Sequence, residues 1–208
     1  MTEAEWLKCD DLPQMLRFLR DKVSDRKLAL LTCGWIRLHW HSVKDELGRG
    51  TIEETELAAD GLIQRGRSPA RKLVCFEKGS FSLDVNFTRG FQECSAVPSL
   101  LDTATTWFLD NQARSKALAK AQDERVRLLR CVVGRPLQPA VLGPGWLTTT
   151  VVALAQAIYA ERAFDRLPIL ADALEDAGCD DADLLAHCRG DGPHVRGCWA
   201  VDLVLGKS

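Results

Sequence analysis

The chain has 208 residues, 46% hydrophobic and 27% charged, with a formal net charge of -2. That length gives one domain or two small ones, and the apolar fraction excludes wholesale disorder. Eight prolines and 15 glycines are too few for a fibrous or low-complexity chain, and the near-neutral balance excludes a generally polybasic nucleic-acid coat.

The opening MTEAEWLKCDD carries acid where an export signal needs base. No run approaches the roughly 20 apolar residues of a membrane span. The expectation is a cytoplasmic protein without a membrane partner. In that setting the eight cysteines read as small buried thiols rather than as four disulfides.

The helical pattern starts with a short turn over Glu3 to Cys9, anchored by Trp6. Leu12, Met15, Leu16, Leu19 and Val23 then follow the i, i+3, i+4, i+7 spacing of an amphipathic helix, with Pro13 in its first turn. Ser24 caps a helix predicted over about 25–41, with Leu28, Leu31, Trp35 and Leu38 as its stripe. Leu30, Cys33 and Ile36 make that helix apolar on other faces too, which marks it as central. DELGRGT reads as a polar joint. Glu53, Glu54, Glu56 and Asp60 mark an acidic helix ending near Ile63.

Between Lys72 and Thr88 the period changes. Phe81, Leu83, Val85 and Phe87 alternate with Ser82, Asp84, Asn86 and Thr88, and the spacing predicts a small β-hairpin insertion over about 72–88. Helix returns with Leu100, Ala104, Trp107 and Phe108, and again over 118–133 with Val126 and Leu129 inside. The two stretches form one long helix or two with a break at 110–115. RPLQPAVLGPGW is the strongest boundary signal in the chain.

Beyond it, Val151, Leu154, Ala155, Ile158 and Tyr159 form one stripe, and Leu167, Leu170, Ala171 and Leu174 the next, closed by Gly178. Leu184, Leu185 and Cys188 follow on a helix begun by Asp180 or Asp181, and Pro193 is placed to start a last one. The fold class is mainly α: a compact multi-helix bundle of antiparallel hairpins. Residues 1–134 form an N-terminal helical region and 146–208 a four-helix module, joined through 135–145 into one unit. Leu28, Leu31, Trp35, Leu154, Ile158, Leu170 and Leu174 are the expected core.

Two segments carry a resemblance. TEAEWLKCDDLPQMLRFLRDKVSDRKLALL and LAQAIYAERAFDRLPILADALEDAGCDDADLLAHCRGDGPHVRGCW resemble an uncharacterised helical protein family of planctomycete bacteria. The likeness covers about residues 1–63 and 124–206, and the middle departs from the alanine-rich helix expected of that family. It implies a small helical fold and a bacterial cytosolic setting, and no known activity, cofactor or catalytic residue.

No catalytic signature is present: no G-x-S-x-G, P-loop, dinucleotide fingerprint or H-E-x-x-H. The sequence demands no cofactor. The one it allows is zinc, on the C-x5-H-x3-C run of Cys188, His194 and Cys198 with His187 adjacent. His39 and His41 in LHWH point to different sides of a helix and make a poor ligand pair. Charge is uneven. Residues 111–136 hold seven basic and two acidic side chains; residues 161–191 hold three basic and nine acidic.

The expectation is therefore a non-enzymatic helical interaction or adaptor protein. Its working surface would be Asp172, Glu175, Asp176, Asp180, Asp181 and Asp183, docking a protein with a basic surface or the chain's own 111–136 segment. The alternative is a nucleic-acid accessory role for Arg114, Lys116, Lys120, Arg125, Arg127 and Arg130.

Overall fold

The computed structural model describes residues 1–20, 22–38, 40, 43, 46–63, 111–137 and 140–207; for residue 47 and residues 111–118 it describes the backbone only. The expected β-hairpin over 72–88, the helix around Trp107, His39 and His41 lie outside the described residues.

The described residues form nine α-helices and no strand. They are α1 (Glu3–Lys8), α2 (Leu12–Leu19), α3 (Asp25–Arg37), α4 (Glu46–Ala59), α5 (Asn111–Val133), α6 (Thr149–Glu161), α7 (Leu167–Asp176), α8 (Ala182–Arg189) and α9 (Trp199–Leu205). The mainly helical class read from the apolar spacing holds.

The helix starts follow from local chemistry. Thr2 and Glu5 form a capping box on α1. Asp11, Ser24, Thr148 and Asp181 each accept a backbone N–H from the first turn of α2, α3, α6 and α8. The end of α7 is a Schellman turn. Gly178 takes φ +86°, its N–H bonds the Glu175 carbonyl, and the Cys179 N–H bonds that of Leu174.

Several boundaries differ from the sequence reading; α2 ends at Leu19 before Val23, and α4 at Ala59 instead of near Ile63. The α3 helix stops at Arg37 instead of near 41. The stretch read as a polar joint is helical from Glu46, so α4 absorbs Gly48 and Gly50; tertiary packing of Ile52 outweighs the weak propensity of glycine. Residues 111–115, where one of the two readings put a break, are helical in α5. The last helix begins at Trp199, and Pro193 opens an irregular segment instead. Gly197 in that segment adopts φ +88°, which no right-handed helix accepts.

Helix α5 is the spine. Val126, Leu128, Leu129 and Val132 enter an N-terminal core with Trp6, Leu12, Met15, Leu19, Leu31 and Trp35. Cys131, one residue from Val132, faces the C-terminal core built by α6, α7, α8 and α9. The Trp6 indole N–H donates to the Gly134 carbonyl at 3.0 Å, which ties α1 to the end of α5. Five of the seven expected core residues are buried: Leu31, Trp35, Ile158, Leu170 and Leu174. Leu28 and Leu154 are half-buried, at the edges of their stripes.

Three carboxylates are also inside. Glu56, Asp60 and Asp202 have side chains no more than 2% exposed. Arg37 and Arg162 hold Glu56, and Arg26 spans Asp60 and Asp202. Carboxylates this deep persist only when paired and hydrogen-bonded. This network joins α3, α4, α6 and α9.

Candidate metal centre

Four side chains from three parts of the chain converge. Cys131 comes from the last turn of α5, His187 from the last turn of α8, and His194 and Cys198 from the irregular segment before α9. One donor atom of each lies within 4.8 Å of every other. The Cys131 sulfur is 3.4 Å from His194 Nδ1, and the Cys198 sulfur is 3.2 Å from His187 Nε2. A tetrahedral zinc ion with about 2.3 Å bonds to sulfur and about 2.0–2.1 Å to nitrogen requires ligand separations of about 3.4–3.8 Å. The observed pairs bracket that range, and the wider ones need to contract by about 1 Å at most.

The two histidines are held from behind. His194 Nε2 faces the Gly190 carbonyl at 3.1 Å. A carbonyl only accepts, so Nε2 carries a hydrogen there, and Nδ1, on the Cys131 side, is the atom that would take an ion. His187 lies edge-on to His194, with centroids 4.9 Å apart, and against Trp199 at 5.0 Å. Gly134 makes room for that tryptophan: a Cβ there would lie 2.6 Å from its Cγ.

The electrostatics favour one thiolate. Burial alone pushes the Cys198 thiol up, but hydrogen bonds from Cys131, His187 and His194 outweigh it and hold Cys198 well below the usual thiol range. Cys131 goes the other way, raised by burial and by its hydrogen bond to the Cys198 sulfur. Burial lowers the His194 imidazole, and contact with the Cys198 sulfur more than restores it. A cleft of about 410 Å³ between Arg127 and Arg130 on one side and Gly190 to Gly192 on the other opens onto Cys131, His187 and His194. It offers an ion a way in.

The sequence reading named three of these four residues and mistook the fourth. Cys188 is not among the converging donors. It completes the Leu184, Leu185, Cys188 stripe and is fully buried in the C-terminal core, while its neighbour His187 points to the cleft. Successive residues on a helix diverge by about 100°. Cys131 was missed because no local spacing announces it: 63 residues and the linker separate it from His194. His194 and Cys198 do meet, but across a loop and not along one helical face.

The charged surfaces are partly spoken for. Arg189 binds Asp172 and Glu175, and Arg135 binds Asp181 and Asp183. Of the six acids, Asp176 and Asp180 form no ion pair among the described residues. Arg135 belongs to the 111–136 segment, so part of the acidic face meets that segment within the chain. The basic stripe is broken as well. Arg125 is buried at 3% exposure, which removes it from any nucleic-acid face. Arg130 donates to the Cys9 carbonyl at 2.6 Å. Lys120 and Arg127 pair along α5 with Glu124 and Asp123, and the side chains of Arg114 and Lys116 lie outside the described residues.

Among the described residues no helix is long and apolar enough to cross a membrane. No protein family, curated protein or solved structure matches the chain.

Proposed function

We propose that the chain is a helical metal-binding protein in which Cys131, His187, His194 and Cys198 hold one zinc ion. The single observation that carries this reading is the convergence of two thiols and two imidazole nitrogens, all within 4.8 Å of one another. Two thiolates and two neutral imidazoles form a charge-neutral set around Zn²⁺ and suit its borderline-soft character. Four protein ligands close the coordination sphere, which is the arrangement of structural rather than hydrolytic zinc. The ion fastens α5, which belongs to the N-terminal core, to α8 and to the segment leading into α9. Interaction through the acidic face comes second, because arginines of the same chain occupy four of its six carboxylates.

Metal analysis of the purified protein tests the proposal. It should report one zinc per chain. Cobalt in its place should give the visible absorption of a tetrahedral thiolate site. Cys131→Ala and Cys198→Ala should each lose the metal, while Cys188→Ala retains it. Equal metal content in Cys131→Ala and Cys188→Ala would refute the ligand set.

A further inference from the structure

A second cluster carries more positive than negative charge. Arg26, Lys27, Arg196 and Lys207 surround Asp60 and Asp202, so four cations face two carboxylates among the described residues. The carboxylates are already spoken for. Asp202 receives Arg26 at 2.7 and 3.0 Å and also Lys27. Asp60 accepts the Tyr159 hydroxyl at 2.7 Å and Arg26 Nε at 3.1 Å.

Arg196 and Lys207 are left at the margin of this network. The nearest Asp60 oxygens are 4.0 Å from Arg196 Nη1 and 3.6 Å from Lys207 Nζ, too far for hydrogen bonds. Both cations lie against the Tyr159 ring, at 5.2 and 4.8 Å from its centroid. Nε and Nη1 of Arg196 are buried and have no hydrogen-bond partner, and Nη2 reaches only the Ala160 carbonyl, at 3.5 Å. The Arg196 side chain is 10% exposed. Buried donors without a protein partner call for water or an anion, and the surplus of cations beside them favours an anion.

We infer that Arg196 and Lys207, beside Tyr159, form a binding site for a doubly charged oxyanion of the phosphate class. Among the described residues the excess of two positive charges matches a dianion, whereas a carboxylate would leave one cation unneutralised. Arg196 and Lys207 can each give a charge-assisted hydrogen bond to a phosphate oxygen. The group can be inorganic phosphate or the end of a phosphomonoester. None of the residues in this site is a metal ligand, so the inference stands apart from the zinc reading.

The test is isothermal titration of the purified protein with inorganic phosphate, and with a nucleoside monophosphate as the phosphomonoester. Thermal unfolding in potassium phosphate against potassium chloride at matched ionic strength accompanies it. One phosphate should bind per chain and raise the midpoint above that in chloride. Tighter binding of the nucleotide would assign the site to a phosphomonoester, and equal binding to the free ion. Arg196→Gln and Lys207→Gln should each weaken phosphate binding by about tenfold or more, the loss of one charge-assisted contact. Lys207 is the more exposed of the two, so Lys207→Gln tests the site even if the arginine variant fails to fold. Equal midpoints in phosphate and chloride, or a Lys207→Gln chain that binds phosphate as the wild type does, would overturn the inference.

Discussion

Replacing Gly134 with alanine probes the junction of the two cores. Gly134 follows α5 with φ +68°, and its carbonyl accepts the Trp6 indole. A Cβ there would stand 2.6 Å from Cγ, 2.9 Å from Cδ2 and 3.1 Å from Cβ of Trp199, a rigid ring that cannot swing a flexible end away. The left-handed backbone costs an alanine about 1–2 kcal/mol. Forcing a methyl into packed surroundings adds about 1–3 kcal/mol. The sum, about 2–5 kcal/mol, is a midpoint drop of roughly 4–20 °C for a chain of this size. Gly178→Ala is the control, because Gly178 also has positive φ, +86°, but nothing lies within 4 Å of its Cβ position. That variant carries the backbone cost alone, about 1–2 kcal/mol. Denaturant unfolding followed by circular dichroism, with a chelator present, separates the two without a metal contribution. Displacing Trp199 also moves the ring packed on His187, so only Gly134→Ala should weaken zinc binding. A Gly134→Ala chain no less stable than Gly178→Ala would refute the packing argument.

Two further expectations concern the core and its thiols. Leu170→Ala should cost about 2–5 kcal/mol, since Leu170 is wholly buried, and Leu154→Ala distinctly less, since Leu154 is half-buried; equal losses in chemical denaturation would contradict the burial assigned to α6 and α7. Alkaline pH should unfold the protein gradually. Burial, with the charge of Glu56 behind it, raises the Cys33 thiol, and burial chiefly raises that of Cys188. A raised folded pKa means stability that is intact below the unfolded value, about 8.5, and lost as pH climbs above it. Each thiol contributes a slope of about 1.4 kcal/mol per pH unit in that window. Cys188→Ala should therefore flatten the stability profile between about pH 9 and 10 by that amount; an unchanged slope would show that Cys188 ionises freely in the fold.

Helices with strong apolar spacing and clear caps could be read directly from the residues. Val151, Ala155, Ile158 and Tyr159 lie inside as their spacing requires, and Gly178 ends α7 as a glycine should. Local signals failed where packing overrides them. Gly48 and Gly50 look like a break, yet α4 runs through them. Pro193 looks like a first helical residue, yet Gly197 at φ +88° keeps the chain irregular until Trp199. Acidic residues are equally opaque to pattern. Glu56 and Asp60 sit among acids that mark a solvated face, and the structure buries both because arginines from α3 and the end of α6 reach them. The candidate metal centre was half visible for the same reason. His187, His194 and Cys198 are close in the chain, whereas Cys131 joins them only through the packing of α5 on the C-terminal helices.

The segment from Gly190 to Cys198 links these features. It has no helix of its own, so its conformation comes from what its side chains touch. His194 and Cys198 turn to Cys131 and His187. Val195 packs into the N-terminal core, where Gly34 admits it: a Cβ on Gly34 would come within 3.0 Å of Val195. Arg196 turns to Tyr159, and the Gly197 carbonyl accepts Lys27 at 2.8 Å. A segment held this way, with few backbone bonds of its own, depends on those side-chain contacts. A zinc ion would fix His194 and Cys198, and an oxyanion would fix Arg196 between them in sequence.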